Sequence, residues 1–148
     1  MRGNGSEKKL CDLILAISPV TTLAVTPFTN YDPINLVKNT IVTSGAFLIL
    51  GILISQYKVF SPRLSKLMTF AMSGFLISLI STILFSGAPR NQQFWGTFGR
   101  GTGFLTYFSL LIMVLAVSIL ASKLFYHRLI LSLIYTSIPI TLYSLIQV

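Results

Sequence analysis

Five long runs of apolar residues constrain this chain more than any other feature of its sequence. They cover residues 10–28, 36–57, 67–86, 104–121 and 129–148. Each run is close to the roughly 20 helical residues that cross a hydrocarbon core of about 30 Å. The runs are continuously apolar rather than alternating, and an open sheet edge has no partner in lipid, so strands are not expected. The sequence predicts an all-α, polytopic bundle of about five transmembrane helices, forming a single domain over residues 1–148.

The composition excludes several other classes of protein. Hydrophobic residues make up 53% of the chain and charged residues 9%, whereas a soluble domain carries about 25% charged residues. Eleven Lys and Arg residues outnumber three acids, but they lie between apolar runs, where they orient helices rather than bind nucleic acid. One Cys, one His and three acids are too few for an internal disulfide or a metal centre. We therefore expect no metal and no other cofactor.

The first apolar run allows two interpretations. A basic segment followed by an apolar run is also typical of a secretory signal peptide. The run continues through Pro19 to residue 28, however, and no clear small-residue cleavage site follows it. The sequence favours an uncleaved helix kinked at Pro19, because neighbouring helices can satisfy the carbonyl that a proline leaves free. A cleaved signal peptide is the alternative.

The distribution of basic residues predicts the orientation of the bundle. One side of the predicted membrane has eight of them: Arg2, Lys8, Lys9, Lys58, Arg63, Lys66, Lys123 and Arg128. The opposite side has three: Lys38, Arg90 and Arg100. Cytoplasmic loops carry the excess of Lys and Arg, so the N-terminus is expected in the cytoplasm. Within the runs only Asp12 and Lys38 are ionisable, both near an end, which argues against an ion-coupled pump.

The two outer loops contain the candidate binding residues. Lys38 lies close to the start of the second helix, where a positive charge opposes the helix dipole, so we expect an anion nearby: Asp32, a lipid headgroup or a substrate phosphate. Residues 87–103 are rich in glycine, and Gly96, Gly99, Gly101 and Gly103 allow positive φ and close backbone approach. A planar guanidinium such as that of Arg100 matches phosphate oxygens. The alternative for this loop is a flexible turn with an aromatic anchor.

The candidate substrate-binding residues share a position at the outer end of the predicted bundle. Phe94 and Trp95 form an amphipathic aromatic pair suited to headgroup depth. We assign no catalytic residue. The candidates are Arg100, Lys38, Arg90 and Trp95.

The residues of these loops resemble the N-terminal part of the O-antigen ligase and polymerase superfamily, which are bacterial inner-membrane glycan transferases. Residues 26–28, Asp32 and residues 35–38 are similar to the early outer loop of the family, with Val37 where a proline is usual. Residues 94–100 and 103–107 look like the aromatic-Gly and Gly-Arg pattern that opens a later helix. The likeness covers nearly the whole chain through short motifs.

The resemblance implies a function and a location. Such a protein would be a multi-pass protein of the bacterial inner membrane, in cell-envelope and lipopolysaccharide biosynthesis. It would transfer a glycan from an undecaprenyl-pyrophosphate donor to an acceptor at the periplasmic face, with membrane lipid and the lipid-linked donor as partners. The family's catalytic His and an Arg belong to a later periplasmic loop, and His127 is predicted on the opposite side. The resemblance therefore implies that these 148 residues are the N-terminal part of a longer protein and are inactive alone.

A second hypothesis is a small non-catalytic membrane subunit that packs against other helices in a larger complex. Small residues allow helices to approach closely in membranes. Six of them within the apolar runs suit such packing: Ser44, Gly45, Gly51, Ser73, Gly74 and Ser78.

Overall fold

The computed structural model describes residues 5–24, 35–97, 101–120 and 123–146. These residues form seven α-helices and one 3₁₀ turn, and no β-strand occurs among them. In chain order they are α1 (Gly5–Leu23), α2 (Asn35–Ser55), α3 (Tyr57–Phe60), the 3₁₀ turn (Ser61–Arg63), α4 (Lys66–Phe85), α5 (Arg90–Trp95), α6 (Phe104–Ile119) and α7 (Lys123–Ile146). The predicted all-α fold is confirmed for this part of the chain.

The five long helices match the five apolar runs, but two of them begin earlier than predicted. α1 begins at Gly5 rather than at residue 10, and α7 begins at Lys123 rather than at residue 129. Glu7 lies in the first turn of α1, where a negative charge stabilises the helix N-terminus. In α7 the early turn brings Phe125 into the core, where it is buried. The short helices α3 and α5 were not predicted, because hydropathy does not mark single helical turns within connections.

The core lies between α1, α2 and α6. α2 packs against both α1 and α6, and α1 also packs against α7. Buried residues recur three or four positions apart on each helix, which places them on one face. They are Leu10, Ile14 and Ile17 on α1, Ala46, Ile49 and Leu53 on α2, and Ile112, Ala116 and Ile119 on α6.

Small residues let the core helices approach closely. A β-carbon built on Gly45 of α2 would overlap the side chain of Ile17 on α1. Ala46 of α2 and Ser109 of α6 are completely buried. The Ser109 hydroxyl donates to the carbonyl of Leu105 within its own helix at 2.7 Å, so its burial leaves no unmet donor. Of the small residues that the sequence offers for packing against other proteins, Gly45 is used inside this bundle instead.

Pro19 lies inside α1 without ending the helix. A proline cannot donate to the carbonyl four residues earlier, which here is that of Leu15. The hydroxyl of Ser132 on α7 donates to this carbonyl at 3.5 Å. The structure therefore agrees with the expectation that a neighbouring helix satisfies the carbonyl freed by Pro19.

Within the described ranges, two helices are long and apolar enough to cross a membrane, judged by length and composition. They are the segments Leu36–Ser55 of α2 and Lys66–Phe85 of α4. α6 is also apolar but shorter, with 16 residues. None of the residues in α4 is buried, and its contacts are with α6 and α5. An apolar helix with this much exposed surface suits a lipid environment far better than water.

Candidate functional site

The start of α2 and the glycine-rich loop before α6 meet in the structure. The side-chain amide of Asn39 donates to the carbonyl of Gly101 at 3.3 Å. The hydroxyl of Thr106, in the first turn of α6, donates to the same carbonyl at 2.6 Å. One carbonyl oxygen thus joins two helices and the loop between α5 and α6, so that the end of the loop is fixed against the first turns of α2.

Glycine is required at three positions of this loop. Gly96 has a φ of 90° and Gly101 a φ of 56°, a region that residues with a β-carbon seldom adopt. A β-carbon on Gly103 would overlap the backbone of residues 94–96, and one on Gly101 would overlap the Asn39 amide. The prediction of positive φ and close backbone approach agrees with the structure at these glycines.

Aromatic side chains connect the loop to the bundle. Trp95 meets Phe94 edge to face, with ring centroids 6.0 Å apart. Phe94 lies 5.7 Å from Phe104 of α6, which stacks on Phe108 at 5.6 Å. Aromatic pairs at such distances add stabilisation beyond the burial of their area. Trp95 remains exposed at the end of this row, with its ring available to a ligand or to lipid.

The four candidate residues occupy different surroundings. Lys38 is half-buried at the fourth position of α2, next to Asn39 in the chain. Arg90 and Trp95 are exposed, at the first and last positions of α5. Arg100 lies outside the described residues, as do Gly99 and Asp32. The contact between Asn39 and Gly101 therefore joins the chain neighbours of Lys38 and Arg100.

Arg90 lines an open pocket of about 470 Å³ at the junction of α4 and α5. The lining residues are Ile83, Leu84, Gly87, Ala88, Arg90, Gln93 and Phe94. None of them comes from α2 or α6, so this pocket is separate from the contact between Asn39 and Gly101. The Gln93 side-chain amide donates to the Ala88 carbonyl at 2.6 Å, which ties α5 to the segment before it and shapes the pocket.

The other end of the bundle has a different chemistry. Arg63 of the 3₁₀ turn forms an ion pair with Glu7 in the first turn of α1. The described acids, Glu7 and Asp12, both lie in the first half of α1. His127 is exposed on α7, and no group of three His, Cys, Asp or Glu residues occurs within the described ranges. The described acids therefore lie on α1, away from the end of the bundle that carries Lys38 and Arg90, and these two cations suit that end to an anion.

Sequence reasoning missed Asn39, the residue that joins α2 to the glycine-rich loop. The signal available was a polar amide close to the start of an otherwise apolar helix, a position where polar groups often have a specific partner. Its partner is 62 positions away in the chain, which no local pattern reveals. Comparison with known proteins adds no assignment: no protein-family model matches this chain, and no curated protein or solved structure matches it.

Proposed function

We propose that the chain is a multi-pass protein of the bacterial inner membrane, with five spans and a cytoplasmic N-terminus. Two apolar helices of spanning length support this, together with the apolar helix α6. The ion pair between Glu7 and Arg63 brings two of the basic clusters to the same end of the bundle. This grouping is what the excess of Lys and Arg in cytoplasmic segments requires.

For its activity, we propose the donor-binding part of a glycan transferase similar to the O-antigen ligase and polymerase superfamily. The observation that carries the proposal is the hydrogen bond from Asn39 to the Gly101 carbonyl. Asn39 directly follows the first stretch that carries the resemblance, and Gly101 lies between the two parts of the second, residues 94–100 and 103–107. Residues adjoining the two stretches therefore meet across the bundle, which supports a shared binding site.

The proposed chemistry is recognition of a lipid-linked diphosphate at the outer face. Lys38 and Arg100 neutralise the diphosphate, and Trp95 packs against the polyprenyl chain or a sugar, with Arg90 at the same end of the bundle. Cations placed where negative charge develops on the leaving diphosphate stabilise the transition state. The residues that activate the acceptor belong to the catalytic region of the family, so these 148 residues bind the donor and do not complete the transfer.

The test is Arg100→Ala in the native protein, assayed for glycan transfer from the lipid-linked donor in membranes. We expect a loss of about 100-fold, the scale for removing one group that stabilises developing charge. Lys38→Ala should reduce the rate less, because an ammonium on a flexible stem makes a less directional contact. The matched control is Arg128→Ala, an exposed arginine on α7 near the opposite end. A wild-type rate for Arg100→Ala would remove its proposed donor-binding role.

A second candidate is a non-catalytic subunit of a larger membrane complex. The exposed surface of α4 favours it, since a β-carbon on Gly74 would have no atom within 4 Å, and Ser73 and Ser78 are exposed. This candidate predicts co-purification with a fixed partner that Gly74→Leu abolishes. It also predicts a native reading frame that stops near residue 148, whereas the transferase proposal predicts one that continues into further helices.

A further inference from the structure

The pocket at the junction of α4 and α5 combines an apolar wall with a single cationic group. Ile83 and Leu84 from the last turns of α4 form one side, and Phe94 of α5 forms another. Gly87, with a φ of 65°, turns the chain between the two helices. Arg90 stands at the polar side of the same pocket. Its volume of about 470 Å³ lies within the ~300–1,000 Å³ range of small-molecule sites.

Among the described residues, the acids Glu7 and Asp12 both lie in the first half of α1, where Glu7 pairs with Arg63. Arg90 is exposed, so its guanidinium is open to an anionic group of the surrounding lipid. In a membrane the Leu84 side of the apolar wall faces hydrocarbon, because Leu84 and Phe85 at the end of α4 are both exposed. A ligand that contacts both Arg90 and the apolar wall has an anionic headgroup and a hydrocarbon chain in one molecule. Anionic membrane lipids have this chemistry, and they are attracted to Lys and Arg at the surface of the bilayer.

We propose that this pocket binds an anionic phospholipid, with its phosphate on Arg90 and one acyl chain along Ile83 and Leu84. The phospholipid holds the junction of α4 and α5 at the depth of the headgroups. The site is separate from the contact between Asn39 and Gly101, so the proposal depends on membrane insertion of the chain and does not depend on glycan transfer.

The protein contains one tryptophan, and its position makes it a reporter. Trp95 contacts Phe94, a residue of the pocket wall. The full chain is reconstituted in nanodiscs of phosphatidylcholine, and brominated phosphatidylglycerol or brominated phosphatidylcholine is added at matched mole fractions. We expect Trp95 fluorescence to be quenched at lower mole fractions by the anionic lipid. Arg90→Gln should reduce this preference about fivefold, the cost of losing one cationic contact at a membrane surface.

Three comparisons decide the outcome. Arg90→Lys should keep most of the preference, and Arg128→Gln, at an exposed arginine near the opposite end, should keep all of it. Soluble glycerol phosphate should not compete, because it has no acyl chain.

Equal quenching by the two lipids, an unchanged preference in Arg90→Gln, or an equal loss in Arg128→Gln would overturn the proposal. Displacement of phosphatidylglycerol by trace undecaprenyl diphosphate would also overturn it, by making the pocket part of the donor site. Failure to enter nanodiscs would instead contradict membrane insertion.

Discussion

Helices α2 and α4 have the same apolar character and opposite surroundings. Each contains a segment of 20 residues able to cross a membrane. In α2, 22% of the most apolar segment is buried inside the protein, whereas no part of the corresponding segment of α4 is buried. The side chain of Ile17 packs against Gly45 of α2, whereas no atom lies within 4 Å of the position that a β-carbon on Gly74 of α4 would take. The difference shows that hydropathy assigns a helix to an apolar environment without deciding whether that environment is protein or lipid.

The largest expected difference between the two helices comes from truncating one isoleucine in each. Ile49 of α2 is completely buried and Ile77 of α4 is 64% exposed. Ile49→Ala should lower the free energy of unfolding by about 2–5 kcal/mol, because it leaves a cavity among packed helices. Ile77→Ala should change it by less than about 0.5 kcal/mol. Unfolding in mixed detergent micelles measures both, and equal effects would contradict the assignment of the core to α2.

The next effect comes from enlarging a glycine in each helix. Gly45→Leu should destabilise the bundle by about 1–3 kcal/mol, since overpacking displaces Ile17 and separates α1 from α2. Gly74→Leu should leave the unfolding midpoint of the isolated chain unchanged. A lower midpoint for Gly74→Leu would show that α4 packs within the chain after all. If only binding to another protein is lost, the subunit proposal gains support.

A smaller effect tests the contact between α2 and the glycine-rich loop. Asn39→Ala should cost about 1 kcal/mol, the usual net value of one hydrogen bond. The loss should be local, and we expect faster amide hydrogen exchange in peptides that contain residues 101–106. Thr40→Ala is the matched control, because the Thr40 hydroxyl donates to the Leu36 carbonyl of its own helix at 2.8 Å. Unchanged exchange in Asn39→Ala would mean that the loop holds its position without α2.

The smallest effect concerns the ion pair at the opposite end. The Arg63 side chain is 41% exposed and that of Glu7 is 25% exposed, so solvent screens their attraction. A double-mutant cycle with Glu7→Gln and Arg63→Gln should give a coupling of less than about 1 kcal/mol. The coupling should decrease as salt is added. A larger value that is insensitive to salt would show that this end is shielded from water.

The sequence predicted the number and type of the long helices because their apolar runs have the length that a bilayer requires. It could not predict which face of α2 is buried. Phe47 and Leu48 are as apolar as Ala46 and Ile49 but are exposed, so the run has no polar side to mark the exposed surface of the helix.

At the candidate site, the glycine-rich loop was predictable because only glycine tolerates the backbone at Gly96 and Gly101. The role of Asn39 was not predictable, since its partner belongs to a distant part of the chain. The separation of Arg90 from the Asn39 contact was equally hidden, because it depends on how α5 folds against the end of α4. Local patterns thus indicate which residues have unusual backbones or charges, and tertiary packing decides which of them share a site.

Cysteine accessibility in intact cells tests the central claim most directly: the glycine-rich loop faces outside and the Arg63 turn faces the cytoplasm. Thr102 and Pro62 are exposed, one in each segment. With Cys11 replaced by Ser, Thr102→Cys should react with a membrane-impermeant maleimide in intact cells. Pro62→Cys should react only after lysis. Labelling of Pro62→Cys and protection of Thr102→Cys in intact cells would contradict the account.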